Sequence, residues 1–118
     1  MMVYYYEDLQ IWQQARELSK RVYACMQNVA DHGFRSQIQR AAVSVMNNIA
    51  EGFESGTDAK YINFLNIAKG SCSEVRSMLY VCLDRKYCTE EQFESLKSQA
   101  IHISSQLYKL IEYLNKKQ

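Results

Sequence analysis

Cysteine and histidine are the residue types in this 118-residue chain that could bind a transition metal or supply a nucleophile. They stand at Cys25, Cys72, Cys82, Cys88, His32 and His102. No two cysteines form a Cys-x-x-Cys pair, and neither histidine stands at a zinc-finger spacing from them. The Glu-x-x-His motif of di-metal helical bundles is also missing from the sequence. The spacing therefore predicts no metal site and no cofactor.

A Cys–His pair could still form if the fold brought two distant residues together. That enzymatic alternative would use Cys88 or His102 with a carboxylate such as Glu51. No Gly-rich phosphate loop or nucleophile elbow favours it. Cys72 and Cys82 fall on the apolar face of a predicted helix, where free cysteine packs as a small hydrophobe. We therefore predict that the chain is not an enzyme, binds no small-molecule substrate and keeps these two cysteines in its core.

Polar stripes on two predicted helices are the more specific candidates. One consists of Gln37, Arg40, Ser44, Asn48 and Glu51, and the other of Asn63, Asn66, Gly70, Ser73, Glu74 and Ser77. Solvated helix faces favour Lys, Glu, Gln and Arg, because Ser and Asn form helices less readily and Gly costs about 0.8–1 kcal/mol relative to Ala. We predict that Gln37, Arg40, Ser44, Asn48, Glu51, Asn66, Gly70 and Glu74 serve helix or subunit packing. Gly70 would mark a close backbone approach, and plain solvent exposure is the alternative.

Basic residues are scattered among acidic ones, and the formal net charge is only +1. Two small clusters, Arg35 with Arg40 and Lys116 with Lys117, are the positions that would contact phosphate if RNA were the partner. Two arginines neutralise too few phosphates for tight binding, but repetition around an oligomer would add avidity. The tyrosines at 4–6 precede two acidic residues, so we expect this arm to pack over the end of the bundle or onto a partner rather than stack on bases.

Hydrophobic periodicity divides the chain into four amphipathic segments, at 8–28, 35–51, 58–86 and 90–116. Acidic residues at 7 and 8 would begin the first helix, and the segment 30–33 with its glycine would end it. Gly52 would end the second helix, and Thr57 or Asp58 would cap the third. Thr89 followed by Gln92 matches the capping box and predicts the start of the fourth.

The fourth segment repeats its apolar residues at alternating steps of three and four. The predicted seam is Phe93, Leu96, Ala100, Ile103, Leu107, Leu110 and Leu114. With no proline anywhere in the chain, long helices on short connections predict a single all-α domain over 1–118, an antiparallel up-down four-helix bundle. No apolar run approaches the ~18–20 residues of a membrane-spanning helix, and no secretory signal begins the chain, so we expect a cytoplasmic protein without a membrane partner.

Four blocks of sequence resemble the bacterial ribosomal RNA intervening-sequence proteins, also called S23-type proteins. They are Tyr6–Ala15, Ser36–Ser44, Asn48–Gly52 and Phe64–Ser71. One departure is Met46, where the family usually carries a proline, so the second helix is expected to be straighter here. The resemblance implies a homo-oligomeric ring, typically a pentamer, and kinship to the accessory protein of diversity-generating retroelements.

The function expected from these observations is a noncatalytic, oligomeric scaffold or binding module for RNA or an RNA-associated protein. One alternative is an accessory protein to a mobile-element reverse transcriptase, although that basic relative differs from this near-neutral chain. Another is a purely protein–protein structural module.

Overall fold

The computed structural model describes residues 2–117, which contain four α-helices and no β-strand. A short 3-10 helix at Tyr6–Asp8 precedes α1, which spans Gln10–Met26. The three remaining helices are α2 at His32–Phe53, α3 at Asp58–Asp84 and α4 at Glu90–Lys117. None of these helices is both long enough and apolar enough to cross a bilayer.

The connection between α1 and α2 differs from the prediction at both of its ends. Helix α1 ends at Met26, and α2 already begins at His32, so Gly33 lies in the first turn of α2 rather than at the exit of α1. The cause is Asp31, whose carboxylate accepts the backbone N–H of Phe34 at 3.1 Å and caps α2. The acidic residues predicted to open α1 lie instead in the 3-10 helix.

Helix α2 runs without interruption through Met46 to Phe53, so Gly52 lies inside its last turn and does not end it. An added Cβ at Gly52 would lie 2.8 Å from Cδ1 of Tyr61 and 2.9 Å from Cβ of Phe64 on α3. Gly52 is therefore where the backbone of α2 approaches α3 closely.

Local capping sets the start of α3 and α4 as the sequence predicts. The Thr57 hydroxyl accepts the N–H of Lys60 at 3.2 Å. Thr89 and Gln92 form the reciprocal capping box, with N–H to side-chain oxygen distances of 2.8 and 3.0 Å. Helix α3 ends at Asp84, two residues earlier than predicted, because Lys86 has a left-handed φ of 60° that terminates the helix.

One hydrophobic cluster connects all four helices. Its fully buried large side chains include Leu18, Ile38, Ile49, Leu65, Leu79, Leu96, Ile103 and Leu107. Along α4 the predicted seam holds except at one position, where Ile111 is buried and Leu110 is only partly buried. The two steps after Leu107 are therefore four and then three residues, the reverse of the predicted order, and the mean spacing of the buried positions is unchanged.

Each helix packs on its neighbours in chain order, and α1 also packs on α4. Within residues 2–117 the backbones of the pairs α1/α3 and α2/α4 stay more than 8 Å apart at every Cα. Arg21 of α1 donates to Gln99 Oε1 at 2.5 Å and to Ser95 Oγ at 2.6 Å on α4. The molecule measures 46 × 22 × 21 Å along its principal axes. The bundle is therefore about twice as long as it is wide.

Candidate interaction surfaces

The α2 stripe packs against α3 at its centre. Ser44 Oγ and Ser71 Oγ lie 2.8 Å apart, and the Asn48 amide donates to both the carbonyl and the hydroxyl of Ser44, at 2.8 and 3.0 Å. All three side chains are half-buried. Ser44 therefore packs between helices, and Asn48 holds its hydroxyl in place. Sequence reasoning missed Ser71, the contact on α3, because it lies on the flank of that helix rather than in its polar stripe.

The ends of the α2 stripe are more exposed. The Gln37 amide donates to the Glu74 carboxylate at 3.2 Å, so this pair also joins α2 to α3. Arg40 and Glu51 are exposed, as is Asn66 on α3. Their predicted role in helix or subunit packing stays a prediction.

Gly70 does not mark a close approach within the chain. An added Cβ there would meet no atom within 4 Å, and the residue is exposed. The close approach that sequence reasoning assigned to Gly70 lies at Gly52 instead. A glycine in a helical segment does not show by itself whether it faces a neighbouring helix. Its direction depends on how the helix is rotated about its own axis.

The predicted phosphate-contacting residues do not form one patch. The Arg35 guanidinium donates to the Val29 carbonyl at 3.1 Å and to His32 Nδ1 at 2.6 Å, so it holds the α1–α2 connection. Lys117 Nζ lies 3.6 Å from Oδ2 of Asp58, which is the first residue of α3. Helix α2 separates these two sites and is about 33 Å long at 1.5 Å per residue. Arg35 and the C-terminal lysines therefore lie toward opposite ends of the molecule.

A different cluster of cations and aromatic rings lies between α3 and α4. We call it the α3–α4 groove, and it has a volume of about 390 Å³ and is lined by Ser73, Arg76, Ser77, Tyr80, Lys97 and Ile101. The Lys97 ammonium lies 5.9 Å from the ring centroid of Tyr80, which is 48% exposed. The Phe93 ring packs edge-on against Tyr80 with centroids 4.9 Å apart. Lys97 Nζ also lies 3.7 Å from Glu94 Oε2. The groove therefore presents an oriented, exposed aromatic ring beside Lys97, with Arg76 in the same lining.

The same pairing recurs further along the two helices. Lys69 on α3 lies 5.2 Å from the ring centroid of Tyr108 on α4. The Tyr108 hydroxyl donates to Glu112 at 2.7 Å, and this hydrogen bond raises the pKa of Tyr108. Sequence reasoning missed these pairs because each joins two helices, although tyrosines at non-core helical positions were a visible signal.

The N-terminal tyrosines divide into two groups. Tyr6 packs against Trp12 with ring centroids 5.4 Å apart, and its 3-10 helix contacts α1 and α2. Tyr4 and Tyr5 are 74% and 68% exposed. The arm thus packs on its own bundle through Tyr6 and leaves the two preceding rings in solvent.

Two of the four cysteines, Cys72 and Cys82, are buried in the core as predicted. Burial raises the pKa of each of these thiols to about 12, so both are in the unreactive protonated form at neutral pH. Burial also raises the pKa of Cys25 and of Cys88. Among residues 2–117 no three His, Cys, Asp or Glu side chains are grouped as metal ligands.

Cys88 and Glu51 of the enzymatic alternative are not brought together. Cys88 lies in the α3–α4 connection and lines a cavity with Tyr87 and Thr89, whereas Glu51 lines a cavity with Tyr6 near the end of α2. Tyr87 packs against Phe34 at the start of α2, with ring centroids 5.6 Å apart. Cys88 and Glu51 are therefore separated by most of the length of α2.

These features define a small all-helical protein whose polar groups serve packing between helices or lie on long exposed faces. The chain belongs to the 23S rRNA-intervening sequence protein family, whose model matches residues 7–109. It is similar to the crystal structure of a protein of unknown function from the S23 ribosomal protein family of Bacteroides thetaiotaomicron, with 27% identity and a TM-score of 0.80. That alignment covers 86% of this chain and 97% of the other. No curated protein matches the chain significantly.

Proposed function

We propose that this protein is a noncatalytic, oligomer-forming, antiparallel up-down four-helix bundle that acts as a cytoplasmic binding module for RNA. The observation that carries the RNA part is the α3–α4 groove, in which Lys97 lies over the exposed ring of Tyr80 and Arg76 is a further lining residue. The name of the family, which refers to intervening sequences of 23S rRNA, agrees with an RNA partner.

Residue pairs across the helix interfaces support the antiparallel arrangement. Between α3 and α4, Lys97 lies over Tyr80 and Tyr108 lies under Lys69, so residue numbers rise along one helix as they fall along the other. Between α2 and α3, the Ser44–Ser71 and Gln37–Glu74 hydrogen bonds follow the same order.

The groove has the two properties that single-stranded RNA requires. An exposed aromatic ring offers a stacking surface worth ~1–3 kcal/mol per base, and flanking cations neutralise phosphates. A second ring, Tyr108, lies beside Lys69, and Lys69 is eleven residues from Tyr80 on α3, about 16 Å at the helical rise. An unpaired strand stacked on Tyr80 would therefore continue along α3 toward the Lys69 ammonium.

The test is binding of a fluorescently labelled single-stranded RNA of mixed sequence, measured as a function of salt. Tyr80→Ala should weaken binding by roughly 5- to 100-fold because it removes the stacking surface, whereas Tyr80→Phe should retain it. Arg76→Ala with Lys97→Ala should reduce the slope of log K against log salt by about 0.7 for each phosphate that is no longer neutralised. The matched control is Arg16→Ala with Lys20→Ala on α1, which should change neither quantity.

No measurable RNA affinity at 50 mM salt would refute the RNA part of this proposal. In that case the remaining candidate is a protein–protein module, either a structural one or an accessory to a mobile-element reverse transcriptase. A monomer of 13.8 kDa at all concentrations would refute the oligomeric part.

A further inference from the structure

Two exposed faces near one end of the molecule carry opposite charge. The lysine–tyrosine face lies on α4 around a shallow cavity of about 400 Å³ and consists of Tyr108, Lys109, Glu112, Tyr113 and Lys116. The acidic face lies on α2 and the 3-10 helix around a cavity of about 310 Å³ and consists of Tyr6, Asn47, Ala50, Glu51 and Glu54.

Both faces lie at the same level along α3. The second half of α2 packs on the first half of α3, since Ser44 contacts Ser71 and Gly52 approaches Tyr61. The last turns of α4 pack on that same half of α3, since Tyr108 contacts Lys69 and Lys117 pairs with Asp58.

The two faces nevertheless point away from each other. Within residues 2–117 no Cα atom of α2 lies within 8 Å of one in α4, and each of these helices packs instead on α1 and α3. They are therefore diagonal in the bundle, with their outer surfaces on opposite sides. A single chain cannot bring its own two faces together.

The carboxylates of the acidic face have no partner within the chain. Glu51 and Glu54 are exposed, and the 3-10 helix that contacts α2 adds the exposed residues Glu7 and Asp8. Within residues 2–117 none of these four forms an ion pair. Four unpaired carboxylates around Tyr6 therefore give this face a negative potential.

The lysine–tyrosine face has the complementary character. Lys109 and Lys116 are exposed and form no ion pair within the described residues, and Tyr113 is 59% exposed. Its one carboxylate, Glu112, accepts the hydrogen bond from Tyr108. Two free ammonium groups and two exposed aromatic rings are therefore available to a negatively charged surface.

We propose that the lysine–tyrosine face of one copy binds the acidic face of a second copy of this chain. This proposal rests on the oligomeric part of the proposed function and specifies the contact that builds the oligomer. Complementary charges steer such an encounter and fix its register, and tyrosine rings supply contact area with a polar tip. Because two different surfaces meet, each copy retains one free face of each kind, and the contact generates a closed ring or an open chain.

Charge reversal with solution mass measurement tests the proposal. Glu51→Lys with Glu54→Lys should weaken association at least roughly 100-fold and shift the mass toward the 13.8 kDa monomer. Lys109→Glu with Lys116→Glu should do the same. A chain carrying all four changes should recover assembly relative to either pair alone, because the charges at these four positions have then exchanged sign while Glu7, Asp8 and Glu112 keep theirs. Raising the salt from 50 to 500 mM should dissociate the wild-type and fourfold-changed oligomers alike.

The matched control is Glu17→Lys with Asp84→Lys, which changes the net charge by the same amount at exposed positions outside both faces. It should keep the wild-type mass. Circular dichroism and the urea midpoint check that each variant folds.

If either face-reversed pair keeps the wild-type mass while folded, or if the fourfold change fails to restore assembly, the proposed contact is wrong although the protein is still an oligomer. If the wild-type chain is a monomer up to 200 µM, both this contact and the oligomeric part of the proposed function are wrong.

Discussion

Replacing the two helical glycines by alanine should change stability in opposite directions. At Gly52 an added Cβ would lie 2.9 Å from the Cβ of Phe64, an atom bound to the α3 backbone. It can move away only if the two helices separate. Overpacking of this kind costs about 1–3 kcal/mol, and the better helix propensity of alanine returns up to ~1 kcal/mol. We expect Gly52→Ala to lower the free energy of unfolding by roughly 1–2 kcal/mol.

At Gly70 the same substitution meets no atom within 4 Å. Only the helix propensity of alanine then matters, so Gly70→Ala should raise the free energy of unfolding by about 0.8–1 kcal/mol. At roughly 4 °C per kcal/mol for a domain of this size, the two variants should differ in Tm by about 7–12 °C.

The assay is urea unfolding followed by circular dichroism, at one fixed protein concentration because the proposed assembly would also stabilise the folded chain. The oligomeric mass of Gly70→Ala should equal that of the wild type, since Gly70 belongs to neither of the two charged faces. The Tyr61→Ala change removes the ring and leaves the Phe64 contact. If the loss of unfolding free energy caused by Gly52→Ala is smaller in a Tyr61→Ala background, part of the clash is with the Tyr61 ring. The reasoning is refuted if Gly52→Ala is as stable as the wild type, or if Gly70→Ala is destabilised.

Two further predictions concern side chains packed between helices. Ser44→Ala and Ser71→Ala should each be destabilising, and a double-mutant cycle from urea unfolding should give a coupling of about 0.5–1.5 kcal/mol, whereas strict additivity would contradict the hydroxyl–hydroxyl bond. For Cys72 and Cys82, the folded-state pKa of about 12 lies above the ordinary value of 9.0, so their contribution to stability is complete below pH 9.0 and is lost as the pH rises toward 12. The Cys72→Ala/Cys82→Ala double variant should therefore show a weaker loss of stability over pH 9–11, and an identical pH profile would exclude the thiols as its cause.

Features encoded in a few adjacent residues were predictable from the sequence. The capping box at Thr89 and Gln92 and the cap at Thr57 depend only on contacts within one turn. The start of α2 was predicted wrongly because Gly33 was interpreted as the end of α1. The carboxylate of Asp31 instead caps α2, so the helix begins before that glycine.

Features that depend on how one helix is rotated against another were not predictable. Periodicity identifies the apolar face of α4 but not whether Leu110 or Ile111 enters the core, since the two lie side by side on that face. The contact of Ser71 with Ser44 and the position of Lys69 over Tyr108 likewise follow from the register between helices.

The unequal lengths of α1 and α4 have a consequence for local unfolding. Helix α1 has 17 residues and α4 has 28. The Gln99 amide donates to the carbonyl of Gln14, one turn from the start of α1, and Arg21 further along α1 donates to Ser95 and Gln99. The first turns of α4 therefore pack along α1, and its last turns extend beyond the start of α1. These turns are joined to the rest of the molecule mainly through α3, and their amide hydrogens should exchange with solvent faster than those near Ile103. If a second copy binds there, it would slow that exchange, and α4 would complete its folding as the protein assembles.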